Sequence, residues 1–409
     1  MRAVDGEESP GPAGEAVRVF KRHVLYVHGY DPRGVKTYRT LFDEQHGDFC
    51  RLHRLEGEIG EVEVSDFVTA WSVTTAGAGW RVETTYQFLG WEDLIRPQFS
   101  TPAPAKIFHA LRSLAARCAS GTLGAIIRSK TRFRFFFLYP FFLLLFEAAV
   151  ALGLALAFAG PLSRWAGIDG AVAMAGTGVF AVTLALLLKL TERRTFLLYL
   201  FALHDASIRY ARREDVGWAQ RFQAFADHLD NVVRTADTDE VVLVGHSLGA
   251  VTAVDALARA LKKNPSLGMV GPRVVLCTLG GNLPVVGLDP AGGWLREKIE
   301  RLAGERSIGW IDFQSSRDVV GFGPFDPVVD HGLPAEFGRT NPMIVRVSFK
   351  DSIRPENYAK FRLGFFGIHF QFLKASERTN GCYDYIQLCC GPRPFEEQAR
   401  RSGEVFTGT

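Results

Sequence analysis

Residues 240–255 constrain the fold most strongly, because they combine a buried strand, a very short turn and a helix. The first residues, 241–244, are apolar and mostly β-branched, as is typical of a buried strand. The turn that follows has the sequence Gly245-His246-Ser247-Leu248-Gly249. A Cβ atom at either glycine would strike the neighbouring strand or the Ala-rich helix that begins directly after the turn. The pattern therefore predicts an exposed Ser247 at the tip, held in a strained backbone conformation.

The order of strand, glycine-flanked serine and helix is the G-x-S-x-G pattern. On these residues the chain resembles the α/β-hydrolase superfamily, in its lipase and esterase branch. The resemblance covers residues 22–54 and 217–394, which is more than half of the chain. It implies an α/β fold with a mostly parallel sheet flanked by helices, and a nucleophile at Ser247. The alternative interpretation is an ordinary strand-turn-helix junction without a catalytic role.

The apolar pattern of residues 23–27 predicts an earlier buried strand, and His28-Gly29-Tyr30 follows it. In the hydrolases that the chain resembles, a His-Gly pair at this point supplies one donor of the oxyanion hole. The resemblance therefore implies that the backbone N–H groups of Tyr30 and Leu248 stabilise the oxyanion. The other residues of the two loops are expected to shape the turns around the serine: Gly245, His246, Gly249, His28 and Gly29.

In the same superfamily the acid and the histidine follow the serine along the chain, in loops after the penultimate and the last strand. The patterns at 308–315 and 342–349 predict these two strands. Asp318 directly follows the first of them, so we predict that it is the acid. Asp326, further along the same loop, is the alternative acid, whereas Asp312 would lie inside the strand.

His369 lies in the loop after the last predicted strand, where the superfamily carries its catalytic base. His331 precedes that strand, so its position does not fit. A serine hydroxyl needs a base within hydrogen-bond reach, and the base needs a carboxylate that orients it. We therefore predict a triad of Ser247, Asp318 and His369 that performs two-step acyl transfer and needs neither a metal nor an organic cofactor.

Two apolar runs, residues 135–159 and 170–190, lie in the part of the chain that the resemblance does not cover. As a helix, each run is long enough to cross a hydrocarbon core of ~30 Å, and Gly160-Pro161 is expected to end the first helix. We predict a transmembrane helical hairpin inserted into the hydrolase domain. The alternative is a pair of buried helices in a globular core, where apolar runs of this length are unusual.

The charges around the two runs predict their orientation. The connecting stretch, 160–169, contains Arg164 as its one basic residue, whereas basic residues cluster at both outer ends of the hairpin. These residues are Arg128, Lys130, Arg132, Arg134, Lys189, Arg193 and Arg194. The positive-inside rule therefore predicts both flanks on the cytoplasmic side. The strands at 24–27 and 241–244 should share one sheet, which also requires an even number of spans.

Glu147 lies near the middle of the first predicted span, where an ionisable group is costly. A hydrogen bond to Thr177 or Thr183 would offset that cost, so we predict a contact that pairs the two helices. A transport or proton-transfer role is the alternative. Small residues recur four apart in the first span and are expected to face the second: Ala149, Gly153 and Ala157. The hairpin could also form a homo-oligomer.

Composition and patterning divide the chain into segments. These are a disordered tail at 1–18, the first part of the hydrolase domain at 19–104, a basic amphipathic segment at 105–134, the transmembrane hairpin at 135–190, an interfacial or stem helix at 191–215, and the second part of the hydrolase domain, with serine, acid and histidine, at 216–409. Residues 196–203 of the fifth segment are apolar but too few to span a membrane. That helix could lie in the headgroups or join the hairpin to the catalytic domain.

Charge and cysteine content argue against other classes of protein. The net charge of the 409 residues is +3, so nothing global indicates nucleic acid binding. The six cysteines lack zinc spacing and are expected to be reduced cytosolic thiols. A metal site at Cys382, Cys389 and Cys390 is the alternative to a structural role.

These features predict an integral membrane protein of the bacterial inner membrane with its catalytic domain in the cytoplasm. Membrane lipids are its expected surroundings, and a lipid-like carboxylic ester is its expected substrate. Several alternatives remain open. An acyltransferase or a thioesterase would use the same triad, a non-catalytic membrane scaffold would keep only the fold, and a transporter would depend on Glu147.

Overall fold

The computed structural model describes residues 18–129, 131–165, 167, 172–334, 339–361, 364–381 and 383–406. All but the last residue of the predicted tail at 1–18 therefore lies outside the described residues. Within them, the strands are β1 (Lys21–Val27), β2 (Glu56–Ile59), β3 (Glu63–Ser65), β4 (Val68–Gly77), β5 (Trp80–Leu89), β6 (Glu240–His246), β7 (Arg273–Leu279), β8 (Ile308–Gln314), β9 (Met343–Arg346) and β10 (Glu404–Phe406).

The α-helices of the described residues fall into two groups, before and after β6. The first group is α1 (Val35–His53), α2 (Glu92–Phe99), α3 (Ala103–Ala119), α4 (Thr122–Arg128), α5 (Phe133–Trp165), α6 (Val172–Thr195), α7 (Leu197–Arg212) and α8 (Val216–Thr235). The second group is α9 (Gly249–Lys263), α10 (Leu283–Gly287), α11 (Gly293–Gly304), α12 (Phe349–Ser352), α13 (Pro355–Phe361), α14 (Phe365–His369), α15 (Tyr385–Cys390) and α16 (Phe395–Arg400).

The strands of the described residues form one sheet, in the order β10-β9-β8-β7-β6-β1-β5-β4-β2, with β3 paired to β4. The strands from β9 to β5 run parallel, and antiparallel pairs occur at both edges. β1 lies between β5 and β6, and Val27 pairs with Gly245. The mostly parallel α/β sheet predicted from the sequence is therefore confirmed, and β1 shares it with the strand that leads to Ser247.

Helices cover both faces of the sheet, because successive side chains of a strand point to opposite faces. In β6, Val241 and Leu243 pack in a cluster with α8, α9 and α11, whereas Val242 and Val244 pack with α1 and α15. Every residue of β6 is buried, which explains the continuous apolar run within it. The carboxyl end of β6 is consequently held at a rigid, fully packed edge of the sheet.

Helices α2 to α7 are inserted between β5 and α8, and the longest of them, α5 and α6, pack along each other. Both are long and apolar enough to cross a membrane, by length and composition. The predicted break at Gly160-Pro161 is wrong, because α5 continues to Trp165. A proline inside a helix removes one hydrogen bond, and the remaining bonds of the turn keep α5 intact. Residues 166 and 168–171 of the predicted connection lie outside the described residues.

The contact between α5 and α6 differs from the predicted one. Thr191 donates a hydrogen bond of 2.7 Å to Glu147 Oε1, and Thr177 bonds instead to its own helix backbone. Glu147 is buried, and so are the small residues at four-residue intervals after it: Ala151, Ala155 and Ala159. The predicted stripe is instead exposed: Ala149, Gly153 and Ala157. That prediction was wrong because α6 covers the face of α5 that carries Glu147.

α7 begins directly after α6, and its apolar side chains Leu197, Leu200 and Phe201 are buried in the protein. The Glu192 carboxylate accepts hydrogen bonds from two N–H groups in the first turn of α7, which fixes the angle between the two helices. Burial of this face favours a stem helix over a helix that lies in lipid headgroups. The division of the chain into segments otherwise stays a prediction.

Candidate active site

The turn between β6 and α9 has the geometry that its glycines predict. Ser247 adopts a left-handed conformation, with φ of 58°, which is rare for a residue with a side chain. A Cβ atom on Gly245 would lie 2.6 Å from the Gly249 carbonyl oxygen, and one on Gly249 would lie 2.4 Å from the Val27 oxygen. A Cβ on Gly29 would lie 2.9 Å from Ser247 Cβ. Backbone contacts from three elements therefore fix the serine.

His369 and Asp318 form a buried pair beside this turn. His369 Nδ1 lies 2.8 Å from Asp318 Oδ2, and both side chains are almost fully buried. Because a carboxylate can only accept, Nδ1 is the donor of this hydrogen bond. Nε2 is buried without a hydrogen-bond partner among the described residues, and His369 and Ser247 line the same cavity. The orientation of His369 leaves its second nitrogen available to a serine hydroxyl.

Asp318 itself is held by close backbone contacts. Its Oδ1 accepts a hydrogen bond of 3.0 Å from the Val320 N–H. A Cβ added to Gly321 would lie only 2.4 Å from Asp318 Oδ2, and one added to Gly280 would lie 2.9 Å away. The chain approaches the carboxylate this closely because both neighbouring positions are glycine.

The other candidate acids have different partners. The Asp326 carboxylate pairs with Arg339 and accepts hydrogen bonds from backbone N–H groups of its own loop. Asp312 lies inside β8, where it accepts hydrogen bonds from Thr278 and Gln314. Burial raises the pKa of Asp312 to about 6. In the part of the chain that the structure describes, neither carboxylate is paired with the imidazole, so Asp318 is the acid that the geometry favours.

The loop after β1 runs beside Ser247 and is fixed at two carbonyl groups. Trp91 Nε1 donates a hydrogen bond of 3.0 Å to the His28 oxygen, and the Tyr199 hydroxyl donates one to the Tyr30 oxygen. Across the described residues, the N–H groups of Tyr30 and Leu248 have no hydrogen-bond partner. Both are therefore available for an oxyanion, as the resemblance implies for these two residues.

Asn282 is a candidate site residue that the sequence analysis missed. Its Nδ2 donates a hydrogen bond of 3.2 Å to Ser247 Oγ, and its backbone N–H bonds to the Ser247 carbonyl oxygen. The side chain is buried, and its Oδ1 has no partner among the described residues. The available signal was a polar residue after β7, because the carboxyl ends of neighbouring parallel strands meet at one edge of the sheet.

His246, the residue directly before the serine, packs against the imidazole of His369. The two rings stack with centroids 4.4 Å apart, and His246 Nε2 lies 3.3 Å from the His369 carbonyl oxygen. Burial, and then the neighbouring His369, lower the pKa of His246 well below its usual value. His246 is therefore a neutral packing partner. His331, whose position before the last strand does not fit the base, bonds through Nδ1 to the Pro327 oxygen.

A cavity of about 400 Å³ opens above Ser247 and His369. One wall comes from the ends of β1 and β6 and from α14, and the other comes from α7. Its further lining is largely apolar and aromatic: Tyr30, Tyr38, Phe196, Tyr199, Leu203, Val320, Phe366 and Phe370. The polar side chains at the rim, Asp31 and Arg33, are paired with each other. The site can therefore hold an apolar group against the serine.

A smaller cavity of about 30 Å³ lies behind the first one, and Leu203 lines both. Leu248 and Asn282 form its side towards the serine, and the first turns of α5 form its far side. The aromatic residues there are Phe133, Phe136 and Phe137. Leu203 is consequently a residue that faces both the cavity above the serine and an apolar space at the base of α5.

No group of three His, Cys, Asp or Glu side chains within the described residues could hold a metal ion. Cys389 and Cys390 are buried thiols in α15, whereas Cys382 of the predicted cluster lies outside those residues. The alternative of a metal site at these cysteines therefore gains no support from the described side chains.

A mostly parallel sheet with a serine in a glycine-bounded turn after its central strand defines the α/β-hydrolase class. The model of a family described as the alpha/beta hydrolase family matches residues 175–361. That range includes Ser247 and Asp318 but neither β1 nor His369. Together with the sheet and the turn, this match supports the α/β-hydrolase superfamily for the chain. Comparisons with curated proteins and with solved structures found no match.

Proposed function

We propose that this α/β-hydrolase is a membrane-anchored serine esterase that cleaves lipid-like carboxylic esters by way of an acyl-enzyme. One observation carries the proposal: Ser247 and His369 line an apolar cavity whose opposite wall, α7, directly follows the second long apolar helix. The helix that forms one wall of the candidate active site is thus joined directly to a candidate membrane anchor. An ester with a long acyl chain fits a site of this kind.

The proposed first step is attack of Ser247 on the ester carbonyl. His369 Nε2 takes the proton from Ser247 Oγ as the oxygen bonds to the carbonyl carbon, and Asp318 stabilises the resulting imidazolium. The negative charge moves to the former carbonyl oxygen, which the N–H groups of Leu248 and Tyr30 stabilise. The Asn282 amide keeps the hydroxyl pointed towards the cavity before the attack.

The proposed intermediate then breaks its bond to the alcohol oxygen. The imidazolium of His369 gives its proton to that oxygen, the alcohol leaves, and Ser247 retains the acyl group. A water molecule next loses a proton to His369 and attacks the acyl carbon. Collapse of this second intermediate releases the carboxylic acid and restores the Ser247 hydroxyl, so the sum of the steps consumes one water for each ester.

Exposure of the long helices supports the membrane anchor. In their most apolar stretches, 22% of α5 and 6% of α6 is buried, whereas a core helix of a soluble protein would be mostly buried. Large apolar side chains therefore face outward along both helices, for example Phe142, Leu156 and Leu186. A hydrocarbon surrounding would remove this surface from water.

Aromatic side chains connect the cavity to the start of α5 and the end of α6. Phe196 and Phe366 make an edge contact with ring centroids 4.8 Å apart, and Phe136 and Phe365 make one at 5.5 Å. Aromatic residues are common where a membrane meets water. We therefore place the entrance of the cavity near the membrane surface, so that the acyl chain of a lipid can enter from the bilayer.

A series of p-nitrophenyl esters with acyl chains of graded length, assayed on the full chain in detergent, tests the reaction. We expect hydrolysis that favours medium or long chains, and a loss of roughly 10⁴-fold or more in Ser247→Ala. Ser315→Ala is the control, because Ser315 is also a buried serine at a strand end. Activity that persists in Ser247→Ala, or a wild type that hydrolyses none of the esters, contradicts the proposal.

Cys118 offers a test of the orientation, since it is exposed while the other described cysteines are buried. If the catalytic domain is cytoplasmic, a membrane-impermeant maleimide should label Cys118 in inside-out vesicles and leave intact spheroplasts unlabelled. Cys118→Ser identifies any signal from other cysteines. Labelling of Cys118 in intact spheroplasts would contradict the orientation, and release of the protein by alkaline carbonate would contradict the anchor.

A further inference from the structure

A second large cavity, of about 790 Å³, lies on the outer side of α8, α9 and α11, next to the end of α7. We call it the basic cavity, because its charged lining is almost entirely cationic. Its basic residues are Arg213, Arg259, Lys262, Lys263, Lys298 and Arg301, and Glu297 is the acidic residue in its lining. No part of the candidate active site contributes to it.

Only half of these cations are neutralised by a contacting carboxylate. Arg259 and Lys298 both pair with the buried Asp255, and Lys263 pairs with Asp227. The other three, Arg213, Lys262 and Arg301, form no ion pair with a carboxylate among the described residues, and Arg301 donates a hydrogen bond to the Leu261 carbonyl oxygen. The basic cavity therefore has a local excess of positive charge, although the chain as a whole is near balance.

The cations are crowded around a fixed indole ring. The Arg213 guanidinium lies 4.4 Å from the centre of the Trp294 ring, and the Lys298 ammonium lies 5.3 Å from it. Trp294 is held by a hydrogen bond of 2.9 Å from its Nε1 to the Ala211 oxygen. Burial and the nearby Arg213 lower the pKa of Lys298 to about 7. A bound anion would relieve this repulsion between cations.

We propose that the basic cavity binds a small soluble polyphosphate. Phosphate oxygens accept several charge-assisted hydrogen bonds at once, and guanidinium groups match their geometry. Several linked phosphates can reach unpaired cations that lie on different helices, which a single carboxylate cannot do. A multiply charged ligand is also the one that three unpaired cations favour most strongly.

A lipid headgroup in the anchoring membrane fits the basic cavity less well than a soluble ligand, and this step rests on the proposed function. Arg213 and Phe196 flank opposite ends of α7, a helix of 16 residues. At 1.5 Å per residue, the helix between them is about 24 Å long. If the bilayer surface lies near Phe196 and α7 runs away from it, the basic cavity is too far along α7 for a lipid in that bilayer.

Calorimetric titration of the full chain in detergent with tripolyphosphate, at about 0.15 M salt, tests the proposal. The test variant combines Arg213→Gln, Lys262→Gln and Arg301→Gln. The control variant combines Arg273→Gln, Arg306→Gln and Lys350→Gln, which removes the same charge from exposed residues outside the basic cavity. We expect the control to bind like the wild type and the test variant to bind roughly 30-fold or more weakly.

Trp294 fluorescence provides a second measurement at the same site. Tripolyphosphate should change the emission of the wild type, and the change should be absent in Trp294→Phe. If the triple variant does not fold, the single change Lys262→Gln replaces it, since this exposed side chain has no partner among the described residues. A several-fold weaker affinity of that variant then supports the site.

Several results would overturn the proposal. Equal affinity of the test and control variants would show that binding follows net charge alone. Tighter binding of a hexaglutamate peptide would assign the basic cavity to an acidic protein segment, and binding only to vesicles with anionic lipid would assign it to a membrane.

The Ser247→Ala variant separates this proposal from the proposed reaction. We expect it to lose ester hydrolysis and to bind tripolyphosphate like the wild type.

Discussion

The two walls of the cavity above Ser247 are built in different ways. The sheet wall contains Gly29 and Ser247, which pack so closely that a Cβ atom on Gly29 would lie 2.9 Å from Ser247 Cβ. The α7 wall contains Phe196, Tyr199 and Leu203, which reach the cavity as side chains from an inserted helix. We therefore expect the sheet wall to determine whether catalysis occurs and the α7 wall to determine which acyl chain is accepted.

The largest predicted effect distinguishes the two candidate acids, Asp318 and Asp326. We expect Asp318→Asn to lower kcat for ester hydrolysis by about 10³- to 10⁴-fold, because the amide cannot hold His369 in the required tautomer. Asp326→Asn is the matched variant, and its kcat should stay within a few-fold of the wild type. Steady-state kinetics on one ester measures both. A large loss in Asp326→Asn with an active Asp318→Asn would reverse the assignment of the acid.

A glycine in the sheet wall should be the next most sensitive position. Gly29→Ala places a Cβ 2.9 Å from Ser247 Cβ, so the loop must shift and displace the Tyr30 N–H. We expect roughly a 10²-fold loss of kcat with a smaller change in KM. Gly47→Ala in α1 is the control, because nothing lies within 4 Å of its added Cβ. Full activity of Gly29→Ala would show that the sheet wall is less rigid than its contacts indicate.

A change in the α7 wall should alter selectivity and leave the chemical step intact. Leu203 lines both the cavity above Ser247 and the smaller one at the base of α5, so we expect Leu203→Ala to join them. We expect the ratio of kcat/KM for long over short acyl chains to rise by roughly tenfold. Leu198→Ala, on α7 but outside both cavities, should leave the ratio unchanged. A ratio that falls in Leu203→Ala would exclude the smaller cavity as a site for the acyl chain.

The smallest predicted effect concerns the stability of the sheet itself. Burial lowers the pKa of His23 in β1 to about 4, compared with 6.5 in the unfolded chain. Below pH 6.5 the unfolded state therefore binds a proton that the folded state does not, so stability is lost as pH falls from about 6.5 towards 4. We expect this group to lower the free energy of unfolding by about 2 kcal/mol as the pH falls from 7 to 4.5. Denaturation midpoints at both pH values should differ less in His23→Gln, and an unchanged difference would exclude His23.

The sheet wall was largely predictable from the sequence, because local patterns specify it. The apolar run of β6 and the glycines around Ser247 are local features of the sequence, and Ser247, Asp318 and His369 follow one another in the order that the resemblance implies. They led to a mostly parallel sheet and to a buried His369–Asp318 pair. The sharp turn after β6 and the edge at which parallel strands end follow from backbone geometry alone.

The α7 wall and the hairpin contact were not predictable in the same way. Whether an apolar helix such as α7 lies in lipid or in protein depends on partners that are distant in the sequence. Glu147 accepts a hydrogen bond from Thr191 and from neither of the two predicted threonines, because the relative rotation of α5 and α6 is a tertiary property. Asn282 was missed for a related reason, since its contact with Ser247 crosses from β7 to β6.

A fluorophosphonate probe, which reacts with activated serines, shows whether His369 makes Ser247 a nucleophile. We expect the folded wild type to be labelled, with peptide mass spectrometry placing the label on Ser247. Labelling should disappear in Ser247→Ala, slow strongly in Asp318→Asn and remain unchanged in Asp326→Asn. A folded wild type that stays unlabelled, or a label on a different serine, would contradict the account.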